Sequence, residues 1–401
     1  MRRQRSSRAR RAARIFSEAA GLTPAKHRER TGGTHVSLTD NSGQIAVIVG
    51  TRPEIVKLAP VIRLLGDNAT LIHSRQHEDE ELSGVFLAAA GLTQAQALSG
   101  IRGEPRHAQV GRMVEQLGAL LAAQRPAAVI VQGDTNTASA GAQAASYTGI
   151  PVIHVEAGLR SGDRAMPEEI NRCVTGVLAD VHCAPTSLAV ANLRAEGVPA
   201  AKIVLTGNTI VEATRRMLPG PRGARQIAVR LGADPDGFVL ATIHRPENTD
   251  DPARLEAILS ELSKLGLPVV MPLHPRTRAA ARRHGLDAAL DRLHVVPPAD
   301  HRTFLGLASL ARLLVSDSGG VQEECTVLKR PLIVVRNSTE RPESITAGFA
   351  HLVQPGPAIG DLGRELIADA GLAQRLAAIP CPFGDGQASE RIAACAGAFL
   401  A

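Results

Sequence analysis

Short apolar runs rich in β-branched residues recur along this chain, and a longer segment rich in Ala, Leu and Arg follows each of them. Apolar runs without polar alternation are typical of parallel strands that are buried on both faces. We therefore predict an α/β chain in which helices cover parallel sheets. The predicted strands of the first half are 45–49, 70–73, 128–132, 151–155, 181–184 and 203–206, and those of the second half are 238–243, 268–273, 293–297, 313–317, 331–335 and 351–354.

The chain has 401 residues, which is enough for two domains of this kind. A polar stretch rich in Gly, Pro and charge, residues 215–236, separates the two sets of strands and is the predicted seam. We expect two Rossmann-like domains with a cleft between them. The predicted parts are an Arg-rich disordered tail (1–43), an N-terminal domain (44–215), a C-terminal domain (216–385) and a last segment (386–401).

The net charge of +6 is concentrated at the start of the chain. Residues 1–43 hold nine Arg and one Lys against three acidic residues, so the rest of the chain is close to neutral. With aromatic residues at 2% and no Trp, the chain lacks the stacking residues of a single-stranded nucleic-acid binder. We expect no nucleic-acid partner for the folded body, although the tail leaves an anionic partner open.

Two further features indicate where the protein works. No apolar run reaches the roughly 20 residues of a membrane span, so no membrane association is expected. The five cysteines form no C-x-x-C pair, which favours a reduced, cytoplasmic protein without a structural zinc.

The stretch SDSGGVQEE, residues 316–324, follows an apolar run and predicts an anion site. Gly319 and Gly320 let the backbone approach a ligand, and the following helix presents free N–H groups, an arrangement suited to a diphosphate next to Ser318. Glu324, about one turn into the helix, is placed to accept the hydroxyls of a ribose. The alternative is a simple glycine turn in which the glutamates favour the helix N-terminus by charge.

Three carboxylates lie at or soon after predicted strand ends of the first domain: Asp134, Glu156 and Glu168. A carboxylate at such a position is either buried and paired or works in a cleft. Arg160 and Arg172 are the candidate structural partners. Both possibilities stay open from the residues alone.

Cationic residues follow other strand ends. Arg52 and Lys57 follow the first strand in the segment GTRPEIVK, whereas His244 and His274 end two strands of the second domain. Carboxylates together with His and Arg form an acid–base apparatus beside an anion site. No H-E-x-x-H pattern or close His spacing supports zinc.

Eight of these segments, taken in order and spacing, resemble the non-hydrolysing UDP-N-acetylglucosamine 2-epimerases. The resemblance runs from about residue 45 to the C-terminus. The segments are GTRPEIVKLAP, QGDTNTASAGAQAA, PVIHVEAGLRSGDRAMPEEINR, TGNTIVEA, HRPEN, HPRT, SDSGGVQEE and TERPESITAG.

The resemblance implies a glycosyltransferase-B-like fold, in which two Rossmann-like parallel-sheet domains face a central cleft. It also implies a homodimer, and a C-terminal helix (386–401) that packs back on the N-terminal domain. The implied reaction is the reversible epimerisation of a UDP-sugar at C2. UDP is eliminated to give a 2-acetamidoglucal and is then added back, with no NAD and no metal as cofactor.

The resemblance also implies roles for single residues. Asp134, Glu156 and Glu168 would be the catalytic carboxylates, and His244 a further catalytic or phosphate-side residue. The substrate-binding residues would be Arg52 and Lys57 near the sugar, Ser318, Gly319 and Gly320 on the diphosphate, Glu324 on the ribose, Phe304 near the uracil and Arg341 near the phosphates.

Other functions remain open at this stage. The substrate could be a modified UDP-N-acetylhexosamine that carries a 3-acetamido or a uronic acid group. A glycosyltransferase of the same fold is a second alternative, and a nucleotide-sugar-binding or RNA-binding protein with the tail as its arm is a third. The segment of the family's allosteric site retains Gln76 and His77, but Glu78 and Asp79 would repel a second nucleotide sugar, which argues against activation by substrate.

Overall fold

The computed structural model describes residues 43–76 and 95–400, which form two compact units. The first unit holds the described residues up to Thr209 together with those from Gly384 onwards, and the second unit is Ile210–Phe383. Residues 1–42 of the predicted tail, and His77, Glu78 and Asp79, lie outside the described residues.

Seven described strands of the first unit form one parallel sheet in the order β3-β2-β1-β4-β5-β6-β7. The six predicted strands are present. The sequence missed β3, a short strand without a β-branched residue. The strands are β1 (Ile45–Val49), β2 (Ala69–His73), β3 (Ala95–Ala97), β4 (Ala128–Gln132), β5 (Val152–Val155), β6 (Val181–Ala184) and β7 (Ile203–Leu205).

Described helices follow β1, β3, β4, β5 and β6 and cover both faces of the sheet. They are α1 (Arg52–Leu65), α2 (Arg106–Gln124), α3 (Asn136–Tyr147), α4 (Pro167–Leu178) and α5 (Ser187–Ala195), with short 3-10 turns at Gly66–Asn68 and Ala200–Lys202.

The second unit repeats the architecture with a described parallel sheet in the order β10-β9-β8-β11-β12-β13. Its strands are β8 (Val239–Thr242), β9 (Val269–Pro272), β10 (His294–Val296), β11 (Leu313–Ser316), β12 (Leu332–Val335) and β13 (Ala350–Val353). Its helices are α6 (Ile210–Met217), α7 (Pro221–Arg230), α8 (Pro246–Thr249), α9 (Pro252–Leu262), α10 (Pro275–His284), α11 (Asp287–Leu290), α12 (His301–Leu310), α13 (Gly319–Leu328), α14 (Pro342–Thr346), α15 (Pro357–Ala368) and α16 (Leu372–Ala378). The predicted pair of Rossmann-like parallel sheets is confirmed.

Each sheet separates two apolar layers because successive side chains of a strand point to opposite faces. In β1, Val47 and Val49 join one layer, whereas Ala46 and Ile48 join the other. The last described helix, α17 (Ala388–Gly397), packs on α1 and contributes Ile392 to the first of these layers. The end of the chain is therefore part of the first unit.

The strand order of each sheet reverses once, between β1 and β4 in the first unit and between β8 and β11 in the second. At such a point the two neighbouring connections leave the sheet in opposite directions, which opens a crevice outside the carboxyl ends of the strands. The loops that follow β1, β4, β8 and β11 are therefore the positions where each unit is best suited to bind a ligand.

Gly50 begins the loop after β1 and sits against the start of α3. A Cβ atom at this position would lie 2.0 Å from Thr137 Oγ1 and 2.2 Å from Ser74 Oγ. These two hydroxyls are themselves 2.7 Å apart, in a hydrogen bond between the loop after β2 and α3. The close approach of three segments therefore requires glycine at position 50.

Gly50→Ala should lower the free energy of unfolding by roughly 1–3 kcal/mol, because the added methyl group overpacks this contact. Gly111→Ala is the matched control, since Gly111 lies in α2 with open space around it and the substitution improves helix propensity by up to about 1 kcal/mol. Urea unfolding of both variants measures the difference. Equal stabilities of the two variants would contradict the packing argument.

Glu54 joins the loop after β1 to the loop after β4. Its Oε2 accepts hydrogen bonds from the backbone N–H groups of Gly50 (2.9 Å) and Thr51 (2.7 Å) and from the Thr51 hydroxyl (2.8 Å). Its Oε1 lies 2.7 Å from Thr135 Oγ1. Burial raises the pKa of the Glu54 carboxyl to about 7, although these hydrogen bonds oppose the shift.

The stability of the protein relative to Glu54→Gln should fall as the pH rises from about 4 to about 8. The folded pKa lies above the ordinary value, so the contribution of Glu54 is complete below about pH 4.5 and is lost as the pH rises through about 7. The loss amounts to at most about 3 kcal/mol. Gln fits the site because its amide N–H can donate to Thr135 Oγ1 while its oxygen replaces Oε2. Unfolding curves of both proteins at several pH values provide the measurement, and a constant difference would contradict the raised pKa.

Candidate active site

Lys57 and Glu156 form a buried ion pair at the carboxyl edge of the first sheet. Lys57 lies on α1, and Glu156 directly follows β5. Lys57 Nζ is 3.0 Å from Glu156 Oε1 and 2.9 Å from Glu156 Oε2. The Gln132 side chain donates a further hydrogen bond to Oε2. Glu156 adopts a φ of 65°, a left-handed conformation that is uncommon outside glycine and is retained where the surroundings fix the side chain. Lys57 therefore neutralises Glu156, a partner that the sequence did not identify.

Asp134 is held by Arg172, which reaches it from α4. Arg172 Nε and Nη2 lie 3.0 and 2.7 Å from Asp134 Oδ2, and Nη1 lies 2.5 Å from Glu169 Oε2. Within the described residues, Asp134 Oδ1 accepts no hydrogen bond from protein. Arg172 is thus the structural partner of Asp134, as one of the two candidates predicted, and it contacts only one of the two carboxylate oxygens.

Glu169 completes this network by fixing the loop that precedes α4. Its oxygens accept hydrogen bonds at 3.0 Å from the backbone N–H groups of Ser161 and Gly162. Burial alone would raise the pKa of Glu169, but these two bonds and the Arg172 guanidinium outweigh it and lower the pKa. The sequence did not identify Glu169, although it adjoins a candidate carboxylate.

Glu168 differs from its neighbour in having no fixed partner. It lies half-buried in the first turn of α4, and its side chain makes no hydrogen bond or ion pair with the described part of the chain. Arg160, the other candidate partner, instead pairs with Glu196 through contacts of 2.7 and 2.8 Å. Arg52 begins α1 and is half-buried in the same unit.

His154 supports the loop that carries Asp134. Its Nε2 lies 2.9 Å from the carbonyl oxygen of Gly133, and burial lowers the pKa of the imidazole to about 4. The ring is therefore neutral, and Nε2–H donates to the carbonyl oxygen. The sequence did not single out this histidine, because a polar residue inside an apolar strand carries no sign of its partner.

In the second unit, the carboxylate of Asp317 organises the loop that bears His244. The Asp317 oxygens accept hydrogen bonds from the backbone N–H of His244 (3.1 and 3.0 Å) and of Arg245 (2.8 Å). Asp317 Oδ2 also accepts from Asn248 Nδ2 (3.1 Å), and Oδ1 lies 3.3 Å from His244 Nδ1. Asp317 is fully buried, whereas about a third of the His244 side chain is exposed.

The two candidate histidines of the second unit lie beside each other. The ring centroids of His244 and His274 are 5.2 Å apart, and His274 Nδ1 accepts a hydrogen bond from the Arg276 backbone N–H at the start of α10. Burial lowers the pKa of both imidazoles. For His244 the Asp317 charge opposes this effect, and for His274 the His244 ring adds to it.

The glycines of SDSGG open helix α13, as the sequence predicts for an anion site. Ser318 is the N-cap, and its side chain makes no capping hydrogen bond. The Arg341 guanidinium stands beside the first turn, because a Cβ at Gly319 would lie 2.7 Å from Arg341 Nη1. Arg341 is also paired with Glu323 at 2.7 Å and with Glu340. The Arg341 guanidinium, whose charge Glu323 and Glu340 balance, and the N–H groups of the first helical turn thus meet at one place.

Glu324 lies on α13 and faces α12. Its Oε1 is 2.7 Å from His301 Nε2, a partner that the sequence did not reveal. Phe304 follows His301 by about one turn of the same helix and packs, partly buried, against the apolar layer of this unit. Glu324, His301 and Phe304 therefore occupy one neighbourhood of the second unit.

Over residues 43–76 and 95–400, no group of three or more His, Cys, Asp or Glu side chains is arranged to hold a metal ion. Among those same residues, no helix combines the length and the apolar character that crossing a bilayer requires.

Comparison with known proteins places these features in a family. The profile of the family described as UDP-N-acetylglucosamine 2-epimerase matches residues 66–396. The UDP-N-acetylglucosamine 2-epimerase of Methanocaldococcus jannaschii is 37% identical over 87% of this chain and 97% of its own. The UDP-2,3-diacetamido-2,3-dideoxy-D-glucuronate 2-epimerase of Pseudomonas aeruginosa is 36% identical over 87% of this chain and 98% of its own.

Solved structures agree with the sequence relatives. The M. jannaschii enzyme in complex with UDP-GlcNAc and UDP superimposes with a TM-score of 0.79 at 36% identity, covering 87% of this chain and 98% of the other. The Neisseria meningitidis UDP-GlcNAc 2-epimerase bound to UDP-GlcNAc gives a TM-score of 0.78 at 31% identity, covering 86% and 97%. The predicted glycosyltransferase-B-like fold and the predicted epimerase family are confirmed: the chain belongs to the UDP-N-acetylglucosamine 2-epimerase family.

Proposed function

We propose that this protein interconverts UDP-N-acetylglucosamine and UDP-N-acetylmannosamine. The C2 proton of the sugar is not acidic, because no carbonyl group is attached to that carbon. A base therefore removes the proton as the C1–O bond to UDP breaks, which leaves a 2-acetamidoglucal with a C1–C2 double bond. UDP then attacks C1 again, and C2 receives a proton on the opposite face. The cycle needs a base, an acid and a clamp on the departing diphosphate.

The observation that carries the proposal is the difference between the carboxylates of the first unit. Both oxygens of Glu156 accept hydrogen bonds from Lys57 Nζ, so this pair is suited to orienting the sugar and balancing charge. Asp134 keeps one oxygen without a described protein partner, and Glu168 keeps its whole carboxylate. Asp134 and Glu168 are therefore the groups that exchange protons with the substrate, and Arg52 completes the sugar side.

The second unit supplies the clamp on UDP. The N–H groups at the start of α13, with Ser318, Gly319 and Gly320, bind the diphosphate, and the Arg341 guanidinium lies beside the same turn, close enough to Gly319 to add a hydrogen-bond donor to the phosphates. His244 faces the phosphates, Glu324 binds the ribose and Phe304 contacts the uracil. The UDP and UDP-GlcNAc bound by the two solved relatives support this ligand class.

A second substrate is favoured by one comparison. The P. aeruginosa relative, which epimerises a diacetamido glucuronate, is 36% identical to this chain, against 37% for the M. jannaschii UDP-GlcNAc epimerase. A modified UDP-N-acetylhexosamine is therefore the second candidate, and incubation of both nucleotide sugars side by side decides between them. Release of free UDP only in the presence of a sugar acceptor would instead indicate a glycosyltransferase.

Two finer parts of the proposal concern assembly and location. The family resemblance supports a homodimer. The five cysteines are free thiols, which supports a reducing compartment such as the cytoplasm.

Reaction in heavy water should place deuterium at C2 of the product, because the proton is lost to a carboxylate that exchanges with solvent. Long incubation should also release traces of UDP and 2-acetamidoglucal, since the intermediate sometimes escapes. Mass spectrometry and proton NMR of the product detect both. Epimerised product that retains its original hydrogen at C2 would rule out elimination and the roles of Asp134, Glu156 and Glu168 together.

Glu324→Ala should weaken UDP binding by roughly 10- to 100-fold, the loss expected when a charge-assisted hydrogen bond is removed. Glu365→Ala is the control, because Glu365 is exposed on α15 of the same unit. His301→Asn tests whether the effect comes only from the lost contact with Glu324. Calorimetric titration with UDP gives the three affinities. Unchanged affinity in Glu324→Ala would remove the ribose role.

A further inference from the structure

The loop that bears His244 is fixed by one buried carboxylate, which accepts hydrogen bonds from three neighbouring residues. Asp317 is fully buried at the end of β11, next in sequence to the N-cap of α13. It accepts hydrogen bonds from the backbone N–H groups of His244 and Arg245, which directly follow the end of β8. A buried carboxylate is unfavourable unless its lone pairs are used, so these contacts fix the loop against the start of α13.

Asn248 extends this attachment to the next strand. Its fully buried side chain donates to Asp317 Oδ2 at 3.1 Å and to the carbonyl oxygen of Val335, at the end of β12, at 2.9 Å. Its own Oδ1 lies 3.2 Å from Arg254 Nη2. The polar atoms of Asn248 are thus all used in holding α8, and the loop before α8 has little freedom to move.

The same carboxylate also faces the imidazole. Asp317 Oδ1 lies 3.3 Å from His244 Nδ1, whereas Nε2 has no partner within the described residues. A carboxylate next to Nδ1 favours the tautomer in which Nδ1 carries the proton. Nε2 then points away from Asp317 with its lone pair available, ready to take a proton or, once protonated, to donate to an oxyanion.

We infer that Asp317 is a positioning residue of this enzyme, which fixes the place and the tautomer of His244 relative to the diphosphate-binding start of α13. The kinetic part of this inference rests on the proposed function. The tautomer part concerns the free protein and does not. Asp317 needs no contact with substrate, because it acts through His244 on one side and adjoins Ser318 on the other.

The first test uses the unaltered protein. Isotope-labelled histidine and nitrogen–proton NMR at about pH 8 report the tautomer of each ring, and His244→Gln identifies the signal of His244. We expect the form protonated at Nδ1. The form protonated at Nε2 would overturn the inference, whatever reaction the protein catalyses.

The second test is a double-mutant cycle. Asp317→Asn keeps the shape of the side chain but removes its charge and one acceptor, so it should lower kcat of epimerisation by roughly 10- to 1,000-fold. In the His244→Gln background the same substitution should cost less than about threefold, because its effect passes through His244. Equal losses in both backgrounds would show a general structural role and would contradict the inference.

A third measurement separates positioning from misfolding. The His274 ring lies beside His244, with the two ring centroids 5.2 Å apart. Burial lowers the pKa of His244, and the charges of Arg245 and Arg276 add to this effect, whereas the Asp317 charge raises the pKa. The pKa of His244 should therefore fall further in Asp317→Asn. Asp361→Asn, at an exposed pair with Arg364, is the control and should leave kcat and the pKa unchanged. An unaltered pKa of His244 in folded Asp317→Asn would also refute the inference. If wild-type protein forms no epimer, the proposed function fails while the tautomer and pKa tests still decide the role of Asp317.

Discussion

A parallel sheet that is covered on both faces cannot hold polar chemistry within its strands, and this constraint shapes both units of the protein. The inner strands of both sheets are mostly apolar and buried, so charged side chains are excluded from the layers on either side. They collect instead where the chain leaves each strand. There the unpaired N–H groups of the following helix provide partners for anions. The reversal of strand order in each sheet then selects which of these exits can form a crevice.

In both units a buried carboxylate links two neighbouring loops by hydrogen bonds and so fixes their positions. In the first unit Glu54 joins the loop after β1, which leads into Arg52 at the start of α1, to the loop after β4, which carries Asp134. In the second unit Asp317 joins the loops after β8 and β11, which carry His244 and Ser318. Each carboxylate accepts backbone N–H groups from a loop that bears a candidate site residue. Burying an acid is unfavourable, but removing it would leave several buried donors unsatisfied, which is worse. The position of the site residues is thus fixed by groups that need never touch a substrate.

Much of this could be predicted from the sequence, and the failures have a common cause. Periodicity and composition identified twelve of the described strands, because buried parallel strands have a local signature; Ala95–Ala97 lacks it and was missed. The motifs placed Asp134, Glu156, His244 and the SDSGG glycines at strand ends for the same local reason. Pairing is not local: Lys57 and Glu156 are 99 positions apart. Neither segment indicates that Lys57 pairs with Glu156, or that Arg160 pairs with Glu196 instead. Asp317 carries no local sign of its role either, because the adjacent glycines are by themselves sufficient to predict an anion site.

The pairings also distinguish Asp134, Glu156 and Glu168, three carboxylates that look equivalent in the sequence. A lysine ammonium and a carboxylate that are buried together hold each other charged and fixed, so Glu156 is poorly suited to carry a proton to and from carbon. Arg172 donates to one oxygen of Glu169 and to one oxygen of Asp134. The second oxygen of Asp134 has no hydrogen bond from the described residues. Glu168 has neither restraint. Inverting a carbon requires that a proton leave one face and arrive at the other, which needs two separate proton carriers and a third group to hold the sugar between them. Under the proposed function, the unequal restraint of the three carboxylates fits that requirement: Asp134 and Glu168 exchange protons with the sugar, and Glu156 holds it.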